Sequence, residues 1–233
     1  MKKLAIFVEG QTELIFIDKF LREFISSSKL VIESVEASGG RKYPRFTTLI
    51  ASEIPTPETK YEILIFNSCT DNRVITDIRE RYEGLKENGY SHFIGLRDLY
   101  RDYLYSEKDE ALEDAQLVVG HFENTTIIYA TMEIETWFIA EFNHYENINK
   151  NLTLKKIKEE LLFDLENITN IERFIVEPAK KLDQIYQLVN LNYTKNSNIT
   201  IDSLDYENLY LNTKEKVPSL KKLIIELDNF FIE

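Results

Sequence analysis

The sequence has few of the residues that build disulfide-rich, disordered or zinc-binding proteins. One cysteine and three histidines occur in 233 residues. A single cysteine excludes an internal disulfide framework and is typical of a reducing compartment, so we expect a cytoplasmic protein. The histidines do not have the spacing of zinc ligands. Seven glycines and five prolines, beside 43% hydrophobic residues, argue against a disordered chain.

Long apolar runs and an excess of positive charge are also missing. No run approaches the roughly 20 residues that span a bilayer, so we expect no membrane partner. Lysine and arginine number 28 against 40 aspartates and glutamates, a net charge of −12. Proteins that wrap nucleic acid usually carry excess positive charge, because phosphate contacts supply much of their affinity. A nuclease is not excluded, since its carboxylates can hold cations that meet the phosphates.

Short apolar runs alternate with helix-like segments over the first part of the chain. The pattern predicts strands at 4–8, 31–37, 62–69, 92–96 and 125–131, and helices at 14–25, 43–54, 72–87, 107–115 and 133–142. Helices alone are predicted afterwards, at 154–165, 178–191 and 217–231. Such alternation is typical of a mostly parallel sheet with flanking helices. We therefore predict an α/β domain over residues 1–146 and an α-helical C-terminal region over residues 147–233.

Acidic residues follow directly after several predicted strands. They are Glu9, Asp71, Asp98 and the Glu133/Glu135 pair. Ligands of such sheets bind at the carboxyl ends of the strands, where carboxylates can transfer a proton or hold a divalent cation. The alternative for Asp71 is a helix N-cap, and the alternative for Asp98 is an N-cap or a surface salt bridge. The pattern predicts a Mg²⁺ or Mn²⁺ site.

Glu13 and the Glu133/Glu135 pair each have two interpretations. Glu13 either joins the site or complements the positive end of a helix. Glu133 and Glu135 are two residues apart, and on a helix they point in different directions. Both can reach one ion only if this segment is extended, and Glu135 is the preferred ligand.

A glycine-rich basic loop is the candidate for contacts with phosphate. It reads Gly39-Gly40-Arg41-Lys42, and Arg45 follows three residues later. Flexible glycines beside Arg41, Lys42 and Arg45 suit a nucleic-acid contact. A solvated basic turn explains the same residues equally well.

Three stretches resemble, in order, motifs of the Toprim superfamily, which includes topoisomerases, primases, OLD-family nucleases and small uncharacterised Toprim-like proteins. They are FVEGQTELIF at 7–16, GLRDLY at 95–100 and MEIETWF at 132–138. The resemblance implies a Toprim-like fold, catalytic roles for Glu9 and Asp98, and Mg²⁺ held by these residues with Glu133 and Glu135. The second aspartate of the family's Asp-x-Asp pair is replaced by Tyr100, which leaves Asp102 as its candidate substitute.

The resemblance also implies a function, namely Mg²⁺-dependent processing of nucleic acid. Phosphodiester hydrolysis by a nuclease, in a prokaryotic defence or repair context, is the leading hypothesis. One alternative is a non-catalytic scaffold or binding module with a protein partner in a larger complex, which Tyr100 and the acidic charge favour. Another is an enzyme that transfers phosphoryl groups on small nucleotides.

Overall fold

The computed structural model describes residues 1–39, 43–70, 73–100, 102–195 and 198–232. The strands in these ranges are β1 Lys2–Val8, β2 Leu30–Ser38, β3 Phe46–Ala51, β4 Tyr61–Asn67, β5 His92–Asp98 and β6 Thr125–Ala130. The helices are α1 Gln11–Phe24, α2 Val74–Glu87, α3 Lys108–Val119, α4 Glu135–Ala140, α5 Asn143–Ile148, α6 Leu154–Leu161, α7 Pro178–Gln187, α8 Asn198–Ser203, α9 Tyr206–Leu211 and α10 Pro218–Ile232. The predicted α/β class is confirmed.

The strands form one mostly parallel sheet with the order β3-β2-β4-β1-β5-β6. β1 pairs in parallel with β4 and with β5, and β2 pairs in parallel with β4. β6 lies beside β5, where the Phe93 N–H donates to the Asn124 carbonyl at 2.9 Å. The prediction that the strands near 4–8, 62–69, 92–97 and 125–131 share one sheet is therefore confirmed.

The central strands form because their apolar runs can be buried on both faces. Leu4–Val8 of β1 is completely buried, and the apolar run of β4 lies directly beside it in register. Phe7 and Phe66 place their rings 5.2 Å apart, a contact worth about 0.5–1.5 kcal/mol beyond the buried area. Continuous hydrophobic runs of this length are what a parallel sheet covered by helices requires.

A glycine on β5 allows close packing around that strand. A Cβ atom at Gly95 would lie 2.7 Å from Cδ1 of Ile127 and 2.8 Å from Cδ1 of Ile78. The first contact is with β6 and the second with α2, so a larger residue would push both neighbours away.

The predicted helix at 43–54 is wrong, because this segment contains β3. β3 pairs antiparallel with β2, and all six of its residues are exposed. β-Branched and aromatic residues in Phe46–Ala51 favour a strand, and the edge of β2 offers hydrogen-bond partners that a sequence pattern does not reveal. Tertiary pairing therefore overrides the helix-like spacing.

The helices predicted after residue 147 correspond to α6, α7 and α10, with shorter ends than expected for the first two. Three short helices were not predicted, namely α5, α8 and α9. Each has six residues. Less than two turns is too short to establish an apolar period in the sequence.

The chain divides into two compact units. The first contains Met1–Arg97, Asp109–Ile128 and the end of the chain from Phe230, and the second contains Asp98–Lys108 and Tyr129–Asn229. The second unit therefore begins with the last residue of β5 and also takes the last residues of β6. The predicted division at residue 147 falls inside it, and that domain boundary stays a prediction. None of the helices in the described ranges combines the length and the apolar character needed to cross a membrane.

Candidate metal centre

Hydrogen bonds join the chain after β5 to the turn after β6 within the second unit. The Tyr100 N–H donates to the Met132 carbonyl at 2.9 Å. Oδ1 of Asp98 accepts the Ile134 N–H at 3.1 Å. Because both bonds use the backbone of the turn, Asp98 is held against the residues that follow β6.

The turn between β6 and α4 brings Glu133 and Glu135 together. Met132 has a φ of 69°, in the left-handed region that few non-glycine residues adopt. Ile134 has helical angles (φ −58°, ψ −26°), and the Thr136 N–H donates to the Glu133 carbonyl at 3.0 Å. The segment is thus a tight turn, so the prediction that both carboxylates can reach one ion only from an extended chain is wrong.

Asp98, Glu133 and Glu135 form a three-carboxylate cluster, called the triad below. Each offers one ligand oxygen, and these oxygens all lie within 4.8 Å of one another. Asp98 and Glu135 are buried, and Glu133 is partly exposed. Three hard oxygen donors this close together can hold a divalent metal ion.

Glu135 is the member of the triad whose surroundings best fit a bound cation. Its side chain is completely buried, and its Oε1 accepts the Tyr193 hydroxyl at 2.8 Å. Its Oε2 is also buried and has no hydrogen-bond partner among the described residues. An unpaired buried carboxylate oxygen is costly, and a bound cation would remove that cost. The triad therefore fits a metal ion in geometry and in donor chemistry.

The pKa of the Glu135 carboxyl is raised, primarily because burial disfavours the charged form. The negative charge of Glu133 raises it further, whereas Lys195 and the Tyr193 hydroxyl lower it. A divalent ion would need the ionised form of Glu135 and would stabilise it by its own charge.

Glu133 is fixed by two donors from later in the chain. Its Oε2 accepts the Ala179 N–H, in the first turn of α7, at 3.1 Å. Its Oε1 lies 3.0 Å from Nζ of Lys195, and the same ammonium lies 3.6 Å from Oε1 of Glu135. Burial lowers the pKa of Lys195, but Glu135, Glu133 and Asp98 together outweigh burial and raise it. Lys195 is therefore positively charged beside the triad.

Sequence reasoning did not single out Tyr193 or Lys195. Both lie between α7 and α8, in an asparagine-rich joint without apolar periodicity. Their contacts with the triad span about 60 positions of sequence, with 58 between Tyr193 and Glu135 and 62 between Lys195 and Glu133. No local signal in the sequence marks such distant partners.

The other acidic residues that were predicted for the site are Glu9, Glu13, Asp71 and Asp102. Glu9 is partly buried directly after β1, in the first unit, and its joining the triad stays a prediction. Glu13 is buried in the first turn of α1, where its Oε2 would lie 3.1 Å from a Cβ atom at Gly10. Asp102 is exposed, and Asp71 lies outside the described residues.

Of the predicted phosphate-binding residues, Arg41 and Lys42 also lie outside the described residues. Nη2 of Arg45 donates to Oδ2 of Asp77 at 2.6 Å and to the Ser68 carbonyl at 3.1 Å. Arg45 thus has a structural role in the first unit, and a contact with phosphate stays a prediction.

No protein-family model, curated protein or solved structure matches this chain. Membership of the Toprim superfamily therefore stays a prediction from the three sequence motifs.

Proposed function

We propose that this chain is a Mg²⁺- or Mn²⁺-dependent phosphodiesterase that hydrolyses nucleic acid, in a prokaryotic defence or repair context. The observation that carries the proposal is the buried Oε2 of Glu135, which has no hydrogen-bond partner among the described residues. It belongs to a cluster whose other members are Asp98 and Glu133. The nucleic-acid substrate and the defence or repair context are inferred from the Toprim-like sequence motifs.

The ligand set suits Mg²⁺ or Mn²⁺ better than zinc. All three donors are carboxylates, which are hard ligands, and no histidine or cysteine belongs to the cluster among the described residues. A divalent ion in this position would supply the positive charge against which a phosphodiester binds and reacts.

The chain's own contribution is to hold the ligands in place. The Ile134 N–H fixes Asp98, the Ala179 N–H fixes Glu133, and the Tyr193 hydroxyl fixes Glu135. Ligands held in this way lose little conformational freedom when an ion binds. Glu9 is proposed as a further catalytic carboxylate, and Arg41 and Lys42 as phosphate contacts, on the basis of the sequence.

The test is a cleavage assay with single-stranded and double-stranded DNA and RNA, with Mg²⁺, Mn²⁺ or EDTA. We expect cleavage that needs a divalent ion, that EDTA stops, and that Glu135→Gln abolishes. Glu215→Gln is the matched control, because Glu215 is half-exposed and pairs with Lys221. Its variant should cleave like the wild type. A folded, metal-loaded protein that cleaves none of the four substrates would exclude the nuclease.

A non-catalytic scaffold is the second candidate, and Lys195 is the observation that favours it. Its ammonium pairs with Glu133 and lies close to Glu135, so it compensates part of the negative charge of the triad. A triad whose only cation is Lys195 would be a structural ion-pair cluster. In that case wild-type protein would neither bind Mn²⁺ nor cleave nucleic acid.

A further inference from the structure

Lys195 occupies the position of a counter-cation at the triad. Its Nζ lies 3.0 Å from Glu133 and 3.6 Å from Glu135, and its side chain is 50% exposed. It belongs to the segment between α7 and α8, not to a helix or strand. A half-exposed side chain on such a segment can leave its partners without disturbing regular structure.

Lys195 compensates only part of the negative charge of the triad. It brings one positive charge to three carboxyl groups. Both the ammonium of Lys195 and the hydroxyl of Tyr193 approach Oε1 of Glu135, which leaves Oε2 of the same carboxyl without a partner among the described residues. A divalent ion carries twice the charge and takes six or more oxygen ligands, so it suits the cluster better than an ammonium does.

We propose that Lys195 is the exchangeable cation of the triad and sets its affinity for divalent ions. Its ammonium pairs with Glu133 and Glu135 when no ion is bound, and it leaves when a divalent ion binds. The proposal rests on the metal-binding part of the proposed function and does not require that the protein cleave nucleic acid.

The first test is calorimetric titration of the full chain with Mn²⁺. We expect Lys195→Gln to bind Mn²⁺ at least about tenfold more tightly, because a positive charge some 3–4 Å from the ligands opposes the ion. Lys195→Arg keeps that charge and should bind Mn²⁺ within a few-fold of the wild type. Lys221→Gln is the matched control, since Lys221 is 46% exposed and pairs with Glu215. Its affinity for Mn²⁺ should equal that of the wild type.

Equal affinity in wild type and Lys195→Gln would overturn the proposal, and so would the absence of Mn²⁺ binding in both. Binding by Lys195→Gln alone would support it, because the lysine would then outcompete the ion in the wild type.

The second test follows the displacement in the unaltered protein. Acetic anhydride labels free amines, and mass spectrometry reports the labelled fraction of each lysine. We expect saturating Mn²⁺ to increase the labelling of Lys195 and to leave that of Lys221 unchanged. Unchanged or decreased labelling of Lys195 in protein that has bound Mn²⁺ would overturn the exchange.

The two proposals fail in different ways. If the wild type cleaves no nucleic acid but Lys195→Gln binds Mn²⁺ more tightly than the wild type, the nuclease is rejected and Lys195 remains the exchangeable cation. Metal-dependent cleavage with equal Mn²⁺ affinity in wild type and Lys195→Gln would do the reverse.

Discussion

Asp77 in the first unit and Glu135 in the second both have completely buried carboxylates, but the surroundings of the two differ. Oδ2 of Asp77 accepts a hydrogen bond from Arg45 at 2.6 Å, and Oδ1 accepts one from Arg73 at 3.3 Å. One oxygen of Glu135 accepts from Tyr193, and the other has no hydrogen-bond partner in the described ranges. Asp77 has the surroundings of a structural carboxylate, whereas the surroundings of Glu135 fit a carboxylate that binds a metal ion.

Glu141 shows that the second unit can also satisfy a buried carboxylate completely. Its side chain is fully buried, and its two oxygens accept four hydrogen bonds. The donors are the backbone N–H groups of Asn143, His144 and Asp205 and the side-chain amide of Asn208. Among the described residues, Glu135 therefore differs from Glu141 in that one of its oxygens has no hydrogen-bond partner.

The largest effect is expected from Asp77→Asn. Breaking a buried ion pair leaves the partner charges uncompensated, so we expect a loss of about 3 kcal/mol in the free energy of unfolding, measured by urea denaturation. The control is Glu80→Gln, because Glu80 pairs with the same Arg73 but is 49% exposed. It should cost less than about 1 kcal/mol. Equal effects of the two variants would contradict a structural role for Asp77.

A second effect tests the buried polar network around Glu141. Burial lowers the pKa of His144 to about 4, below the ordinary value of 6.5. The unfolded chain therefore binds a proton more readily than the folded protein, and stability should fall as the pH decreases from about 6.5 towards 4. This difference of about 2.5 pH units corresponds to roughly 3 kcal/mol at most.

The pKa of the Glu141 carboxyl is raised, primarily by burial, and its effect has the opposite sign, which reduces the net change. We therefore propose to subtract the pH profile of His144→Gln from that of the wild type. The free energy of unfolding of the wild type minus that of His144→Gln should decrease from pH 6.5 to pH 4, by roughly 3 kcal/mol at most. Parallel profiles would show that His144 is not buried in its neutral form.

The smallest effect on stability is expected from Glu135→Gln in metal-free protein. The amide keeps an acceptor for the Tyr193 hydroxyl and removes a buried charge beside Glu133, so we expect a change within about 1 kcal/mol at neutral pH. The pKa of Glu135 is raised in the folded protein. Its contribution to the free energy of unfolding of the wild type therefore increases as the pH falls through that pKa, and it is lost as the pH rises. Urea denaturation across pH should show this dependence in the wild type and not in the variant. A loss as large as that of Asp77→Asn would mean that Glu135 is structural.

The parts of the fold that could be predicted are those with a local pattern. β1 and β4 are apolar runs that become buried. Asp98 is the last residue of β5 and Glu135 comes after β6, and ligands of such sheets bind at the carboxyl ends of the strands. β3 could not be predicted, because its conformation depends on pairing with β2. Lys195 could not be predicted either, because its role depends on residues about 60 positions earlier in the chain. Local periodicity in the sequence predicts helices and strands, whereas the partners of a charged side chain depend on the tertiary fold.

The most direct test of the metal centre is Mn²⁺ binding by wild type, Glu135→Gln and Glu215→Gln, measured by electron paramagnetic resonance of free Mn²⁺. We expect the wild type to bind Mn²⁺ at a site that Glu135→Gln weakens at least about tenfold, because a metal ligand and its charge are lost. Glu215→Gln should bind Mn²⁺ like the wild type. Equal Mn²⁺ binding by wild type and Glu135→Gln would contradict the account.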